Sequence, residues 1–503
     1  MSDSRSIGRL LPVALVLVAL AAFVFQGERL VHHWDEPVYL YAASHYSPGA
    51  LVAGAFEPGN IPGFFGPKIG HVVVLQLLMK CLGQGAAVIP LYQAVYTVFI
   101  LLSCVLIACS TFLLWQDKPR AFATGLVALL TPLSVYLAPK LLAEVPGSLA
   151  TSLSVFCWAV CLRSEQRSKQ LGWLTAGAVA LVAGILSRGN VLLLAAGACV
   201  AAVAAPPAGL TRLQIIKRTG LLLAIAAVIF GVIQVLFGYD VVRSLSSASN
   251  VIDMKTPWQD SAKRTLYAFG PAAGLMLFVP FSKRRGEAVF WFVWFAVSVF
   301  PLLAGLRYIE ERFLVSGIPA LAGLIVLGGE VLWTWLSFLK RNVFGKGLAI
   351  AAALFVLIAG NAVFQPRTLW ELDTREYGRA MDWLHDNHPD APIIVPWAIC
   401  DFHFARFAYP QAPVYLADVK ALFTPGFMDI DPSRWYAERY LRDEAAVNRL
   451  GDGSIFYLTR KSLGKDPEDY SWIWGDPRYR FEPVFKSGRY RVYQLHRVAE
   501  TKT

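Results

Sequence analysis

Apolar segments of roughly 20 residues recur along the first 364 residues, and they constrain the fold more than any other feature. Only α-helices and closed barrels satisfy their backbone polar groups inside a bilayer. The composition agrees, because 56% of the residues are hydrophobic and only 16% are charged, whereas soluble domains carry about 25% charged residues. The sequence predicts a polytopic α-helical membrane protein with about eleven transmembrane helices, over residues 10–25, 88–115, 121–138, 145–162, 171–186, 190–206, 219–237, 264–281, 288–306, 313–337 and 347–364.

Basic residues are distributed unevenly between the short loops, which predicts the orientation of the chain. If the N-terminus is cytoplasmic, every inner loop carries two or three cations, whereas the outer loops carry single cations or mixed charge. The net charge of +11 is therefore read as an orientation signal and not as nucleic-acid binding. This assignment places residues 32–70 and the tail after residue 364 outside. It indicates a bacterial cytoplasmic (inner) membrane protein whose active site lies on the outer side.

The first external segment, 32–70, contains the adjacent carboxylates Asp35 and Glu36 directly after the first apolar run. Its many prolines and glycines indicate a structured loop and not a spanning helix. Two interpretations of the acidic pair stay open: a solvated loop that starts a helix, because Asp and Glu favour that position, or a catalytic motif at the membrane surface, where desolvated carboxylates are costly.

The composition becomes polar and aromatic after residue 364, without a further spanning run. The pattern predicts helices over 375–387 (amphipathic) and 435–450, and short strands over 392–395, 413–416, 454–458 and 490–495. This alternation predicts a small α/β domain on the outer side. The expected organisation is a transmembrane domain over residues 1–364 and a soluble extracytoplasmic domain over residues 365–503. The chain contains no Walker A loop, GxGxxG or HExxH motif. Its 7 cysteines form no CxxC pair, so no structural disulfide is expected.

Acidic groups and cations gather on the predicted outer face, beside apolar helices. This combination suits the transfer of a sugar from a lipid phosphate. A carboxylate can take the proton of the acceptor, cations or a metal ion can hold the departing phosphate, and a membrane groove can hold the prenyl chain. The set comprises Asp35, Glu36, His45, Glu57, Lys68, His71, Lys140, Glu144, Arg188, Arg307, Glu310, Glu311 and Arg312.

Five short motifs follow one another along residues 34–319. They are the acidic pair after Trp34, a proline turn that opens a short helix (66–83), an acidic residue before a span (140–146), a basic short loop (187–190) and an arginine-rich segment followed by a proline (307–319). In their order, they resemble the GT-C glycosyltransferases, in particular the family of protein O-mannosyltransferases and the lipid A aminoarabinose transferase. The chain departs from that pattern at Pro67, where the family often has two prolines.

The resemblance implies a role for each matching residue. Asp35 would be the general base, and Glu36 would orient the acceptor or tune the base. Glu144 would contact the acceptor or a metal ion. The candidates for binding the donor phosphate are Lys68, Lys140, Arg188, Arg307 and Arg312. The need for a cofactor stays open: a divalent metal ion is one alternative, with His45 and His71 as its candidate ligands.

The expected partners are a polyprenyl-phosphate-linked sugar donor, a glycan, lipid or protein acceptor, and membrane lipids, with no nucleic acid. A transporter or flippase of lipid-linked sugars, a surface-polysaccharide polymerase or ligase, and a non-catalytic scaffold are the alternatives. Transporters place ionisable groups near the middle of broken helices. The predicted spans here are almost free of charge at mid-helix, which favours an enzyme.

Overall fold

The computed structural model of the chain describes residues 31–33, 35–54, 68–237, 258–305, 311–336, 371–396, 401–417, 439–451, 453–460, 472–474 and 476–498. The predicted spans 10–25 and 347–364 lie outside these residues, as do Glu57, Arg307 and Glu310. The backbone of Asp35 is described, but its side chain is not.

Most of the described residues before residue 337 lie in helices. The α-helices are α1 Asp35–His45, α2 Pro48–Gly54, α3 Ile69–Leu82, α4 Ile89–Trp115, α5 Lys118–Leu130, α6 Pro132–Leu137, α7 Glu144–Arg163, α8 Arg167–Ser187, α9 Leu192–Ala204, α10 Arg212–Phe237, α11 Trp258–Phe269, α12 Arg285–Gly305 and α13 Ile318–Trp335. Four 3₁₀ segments lie between them, at Ala86–Val88, Gly189–Val191, Pro271–Phe281 and Glu311–Gly317.

Six helical segments of the described chain are long and apolar enough to cross a membrane. They are Ala86–Trp115, Glu144–Arg163, Arg167–Ser187, Arg212–Leu236, Arg285–Ala304 and Glu311–Trp335. The prediction of about eleven transmembrane helices is therefore not confirmed. The chain is a mostly helical membrane protein, but three of the predicted spans take another form.

Proline and glycine explain two of these three differences. The predicted span 121–138 is divided into α5 and α6 because Thr131 is extended before Pro132, and its hydroxyl then caps α6 by accepting from the Ser134 amide. The predicted span 264–281 ends as an α-helix at Gly270, whose φ is +73°. The remaining residues form the 3₁₀ segment Pro271–Phe281. The third, 190–206, contains only the 13-residue α9, about 20 Å long, so it is too short to span alone.

The chain divides into two compact units. The helical unit comprises Met1–Phe25, Gln93–Ser249 and Asp253–Arg367, and the mixed unit comprises Gln26–Tyr92, Asn250–Ile252 and Thr368–Thr503. The first external segment therefore belongs to the same unit as the polar C-terminal region.

Small residues bring the helices of the helical unit together. A Cβ on Gly184 of α8 would meet the hydroxyl of Thr151 and lie 3.3 Å from the Gly147 carbonyl oxygen, so α7 and α8 pack almost backbone to backbone. The indole of Trp294 on α12 donates to the Leu194 carbonyl of α9 at 2.9 Å. Trp158, Trp291 and Trp294 are nearly inaccessible to solvent in this core.

Arginines at the predicted cytoplasmic ends cap helix C-termini. Arg163 donates to the carbonyl oxygens of Leu113 and Leu114 at 2.7 Å, and Arg218 donates to Leu162 at 2.6 Å. Terminal carbonyls of a helix lack intrahelical donors and carry the negative end of its dipole, so a guanidinium satisfies both needs. These two arginines therefore have a structural role, whichever way the chain is oriented.

The mixed unit contains two sheets. The smaller pairs β1 Val31–His33 with β2 Glu371–Asp373 in antiparallel register. The larger has the strand order β5-β4-β3-β6-β8-β7, formed by β3 Ile393–Val395, β4 Val414–Ala417, β5 Tyr440–Leu441, β6 Ile455–Arg460, β7 Tyr479–Ser487 and β8 Tyr490–Arg497. Strands β3 to β6 are parallel, and β8 and β7 add an antiparallel edge.

The C-terminal region of the mixed unit also contains three helices: α14 Thr374–Asn387, α15 His403–Ala408 and α16 Glu444–Asn448. The predicted amphipathic helix at 375–387 is confirmed, with Tyr377, Met381 and Leu384 buried as its pattern requires. The predicted helix over 435–450 is shorter, because Tyr440 and Leu441 join the sheet and Asp443 caps a new helix start at the Ala446 amide.

Candidate functional site

The acidic pair forms the first turn of α1, in the mixed unit. Acidic residues favour this position because the free amides and the dipole of a helix N-terminus attract negative charge. Glu36 is completely buried, so it is not part of a solvated loop. Because residues three apart share one helix face, Tyr39 lies beside Glu36 on the surface of α1.

A cation and an imidazole pack on this face of α1. The Lys68 Nζ lies 5.4 Å from the centroid of the Tyr39 ring, and the His71 ring meets Tyr39 edge-on at 4.6 Å. Lys68 is only 7% exposed and His71 is inaccessible. The sequence predicted both residues, and the fold brings them to Tyr39 because α3 starts at Ile69 and packs against α1. The tyrosine itself was not predicted as part of the site.

The opposite face of α1 carries a second aromatic cluster. The His45 ring stacks on Tyr41 at 4.1 Å and lies 3.1 Å from the Tyr41 carbonyl oxygen, and His403 of α15 lies 4.8 Å from Tyr41. Desolvation by the surrounding protein lowers the pKa of His45, and the positive charge of Arg406 lowers it further. Desolvation raises the pKa of the Tyr41 phenol.

The two candidate metal ligands lie on different sides of α1. Tyr39 and Tyr41 are two residues apart, which on an α-helix corresponds to about 200° of rotation, and His71 contacts the first whereas His45 contacts the second. One ion could therefore not bind both imidazoles in this arrangement. Within the described part of the chain, no three His, Cys, Asp or Glu side chains lie together as a metal site would require.

A buried cluster of opposite charges forms at the start of α7 in the helical unit. The Oε1 atom of Glu144 lies 3.2 Å from the Arg188 Nε and 3.6 Å from the Arg312 Nε. Glu144 is completely buried, and the side chains of Arg188 and Arg312 are 15% and 5% exposed. Both guanidinium groups lie over the ring of Phe313, at 4.9 and 5.3 Å. Two cations and one carboxylate leave an excess of one positive charge.

Two 3₁₀ segments hold these arginines in place. Arg188 directly precedes Gly189–Val191, and Arg312 lies within Glu311–Gly317. The Asn190 side chain donates to the Phe313 carbonyl at 3.0 Å, and the Ser316 hydroxyl donates to the Asn190 carbonyl at 3.0 Å. These hydrogen bonds join two segments more than 120 residues apart in the sequence, which the motifs alone do not reveal.

Among the residues of the helical unit that the structure describes, the remaining predicted cation is Lys140. It is 8% exposed, and its Nζ lies 5.4 Å from the centroid of the Tyr136 ring. Arg264 of α11 was not predicted, yet it pairs with Glu311 at 3.6 Å, next to Arg312 in the chain. The signal available in the sequence was the amphipathic pattern over Trp258–Phe269, which places Arg264 at the edge of the predicted span 264–281.

Solved structures share this architecture. The chain superimposes on ArnT from Cupriavidus metallidurans in the apo state with a TM-score of 0.63 and 16% identity, over 97% of this chain and 98% of that one. For ArnT from the same organism bound to undecaprenyl phosphate, the TM-score is 0.61 and the identity 15%, over 97% of this chain and 98% of that one. For the Archaeoglobus fulgidus oligosaccharyltransferase in complex with Zn and sulfate, the TM-score is 0.53 and the identity 14%, over 89% of this chain and 67% of that one.

Neither a protein-family model nor a curated protein sequence matches the chain. The resemblance to GT-C glycosyltransferases is therefore carried by structure and by short motifs, and for the fold it is confirmed.

Proposed function

We propose that the chain is an inverting glycosyltransferase that takes a sugar from a polyprenyl-phosphate donor. The acceptor would be a glycan, lipid or protein on the outer side of a bacterial cytoplasmic membrane. In this proposal, residues 1–364 form the transmembrane catalytic domain and residues 365–503 the extracytoplasmic domain. The observation that carries it is the buried Glu144–Arg188–Arg312 cluster, in a fold similar to that of an enzyme solved with undecaprenyl phosphate.

The reaction is a single displacement at the anomeric carbon. The acceptor hydroxyl oxygen attacks that carbon, the bond from the carbon to the phosphate oxygen breaks, and the phosphate leaves with the electron pair. The Asp35 carboxylate takes the proton of the hydroxyl, and Glu36 orients the acceptor. Attack opposite the leaving group inverts the configuration.

The departing phosphate gains negative charge as the bond breaks. Arg188 and Arg312 fit its stabilisation because a guanidinium donates two parallel hydrogen bonds to phosphate oxygens, and burial strengthens the attraction. Lys68, Lys140 and Arg307 are proposed as further phosphate ligands. Glu144 would hold the two arginines at a fixed separation in the absence of donor, and it would contact the acceptor or a metal ion.

A divalent metal ion is an open part of this proposal. The oligosaccharyltransferase from Archaeoglobus fulgidus was solved with Zn and sulfate, whereas the described residues of this chain offer no cluster of metal ligands. Transfer measured in excess EDTA, followed by addition of Zn²⁺ or Mn²⁺, separates the two cases. A metal-dependent enzyme loses transfer in EDTA and regains it with the ion.

Sugar transfer by purified variants tests the proposal. Wild type, Asp35→Asn, Glu36→Gln and the exposed control Asp386→Asn would each receive a radiolabelled polyprenyl-phosphate sugar pool and a membrane extract as acceptor. We expect folded Asp35→Asn to lose transfer by about 10²- to 10⁴-fold, and the control to match wild type. Normal transfer by Asp35→Asn refutes the base assignment. Transport of the labelled lipid across vesicles by wild type, without any transfer, would favour the flippase.

A further inference from the structure

Two arginines of the mixed unit lie near each other without a carboxylate partner among the described residues. Arg406 lies on α15, and its hydrogen bond goes from Nη1 to the Pro410 carbonyl at 3.4 Å. Arg439 directly precedes β5, and its guanidinium lies 5.1 Å from the centroid of the Tyr415 ring. The Arg439 Nη1 atom is buried without a hydrogen-bond partner.

This arrangement costs stability in the absence of a ligand. A buried charged donor without an acceptor loses its hydration and gains no hydrogen bond in exchange. Burial lowers the pKa of Arg406, and the positive charge of Arg439 lowers it further. Two half-buried guanidinium groups that repel each other do not stabilise a fold, but they are well suited to bind an anion between them.

Aromatic rings that could face a sugar surround this pair. The charge of Arg406 acts on Tyr41 and on His45, so both rings of α1 lie near its guanidinium. Tyr41 also packs against Phe402 and His403, at 6.4 and 4.8 Å. Because desolvation lowers the pKa of His45, its ring is neutral at pH 7 and does not add to the repulsion.

The position on α1 connects this cluster with the acidic pair. Glu36 and Tyr41 are five residues apart on one helix, which is about 7.5 Å along its axis. The two residues are also about 140° apart around that axis, so a saccharide held near Arg406 would have to extend around the helix to reach the first turn of α1.

We propose that Arg406 and Arg439 bind a phosphate or carboxylate group of an anionic saccharide, which is the acceptor of the reaction. The identification of this saccharide as the acceptor rests on the proposed glycosyltransferase function, whereas the binding of the anionic sugar does not. The site then selects acceptors by charge, and neutral sugars bind to it poorly.

Binding measured by titration calorimetry on the full-length protein in detergent tests the site without any donor. The probes are glucose 6-phosphate, glucuronate and, as the neutral match, glucose. We expect at least one anionic sugar to bind at least tenfold more tightly than glucose, and the tighter of the two identifies the anion. Arg406→Gln and Arg439→Gln should each weaken that binding at least tenfold. Arg442→Gln, a substitution of an exposed arginine in the same unit, should leave it unchanged.

Thermal unfolding of the same variants excludes a merely structural role. If the arginines repel each other, Arg406→Gln unfolds at the same temperature as wild type or a higher one. A lower unfolding temperature together with unchanged binding would overturn the inference, as would equal binding of all three sugars.

The two proposals fail in different ways. If anionic sugars bind and the arginine variants lose binding, but no lipid-linked sugar is ever transferred, the anion site stands and the glycosyltransferase function falls. If transfer occurs and Arg406→Gln and Arg439→Gln transfer and bind like wild type, the function stands and the anion site falls.

Discussion

Replacing Glu144 by Gln should destabilise the protein, because it removes the carboxylate that Arg188 and Arg312 share. The carboxylate is completely buried and lies 3.2 and 3.6 Å from the Nε atoms of Arg188 and Arg312. At an effective dielectric constant of about 20, charges at these separations attract by about 5 kcal/mol each, before desolvation is subtracted. Removing one member of a buried ion pair costs about 3–5 kcal/mol, because the partner charge stays buried. We expect Glu144→Gln to fall in this range.

The other variants of the cluster should follow a definite order. Arg188→Gln leaves Glu144 paired with Arg312, so it should cost less, about 1–3 kcal/mol. The double variant Glu144→Gln/Arg188→Gln buries one guanidinium that has lost the Glu144 carboxylate, where Glu144→Gln buries two. It should therefore be more stable than Glu144→Gln by about 1 kcal/mol.

Denaturant unfolding in detergent measures these differences as shifts of the midpoint at constant slope. The matched control is Glu165→Gln, an exposed carboxylate after the other end of α7, which should change stability by less than about 0.5 kcal/mol. Additive losses in the double variant, or a Glu144→Gln variant as stable as the control, would refute the assignment of Glu144 as the shared partner of the two arginines.

Three further predictions concern packing, the ion pairs of Glu287 and pH. Gly184→Ala should lower the free energy of unfolding by about 1–3 kcal/mol, because the added Cβ overpacks the contact of α7 with α8. The control Gly172→Ala, where the added Cβ meets open space, should be neutral or stabilising by up to about 1 kcal/mol. Arg120→Gln should cost about 3–5 kcal/mol because it removes the buried partner of Glu287 at 2.8 Å. Arg284→Gln removes an exposed arginine that lies 3.8 Å from the same carboxylate, and it should cost under about 1 kcal/mol. His45 has a folded-state pKa below its unfolded value, so its contribution is complete above the unfolded pKa and is lost as the pH falls through the folded pKa. Unfolding midpoints of His45→Gln should consequently fall less steeply than those of wild type on acidification below about pH 6.5, and parallel curves would exclude this role.

Local rules account for much of what the sequence predicts correctly. The membrane class follows from apolar segments, since no other arrangement satisfies backbone groups in lipid. The amphipathic pattern of α14 and the strand signals of β3, β4, β6 and β8 each depend on neighbouring residues only. The break between Thr131 and Pro132 could also have been predicted from local sequence, because a proline disfavours helix in the residue before it. The predicted span 121–138 was based on hydropathy averaged over the whole segment, which does not detect such a break.

Tertiary structure decided which of the charged residues meet. Motif order singled out Glu144, Arg188 and Arg312, but 168 residues separate the first from the last, and spacing along the chain does not determine distance when packed helices lie between. The same reason explains why His45 and His71, both plausible ligands from the sequence, meet different faces of α1. The sequence by itself determined whether each segment is suited to lipid or to water, because that depends only on the residues of the segment. The partners of a buried charge depend on how closely backbones approach, and that is settled only when all the helices pack together.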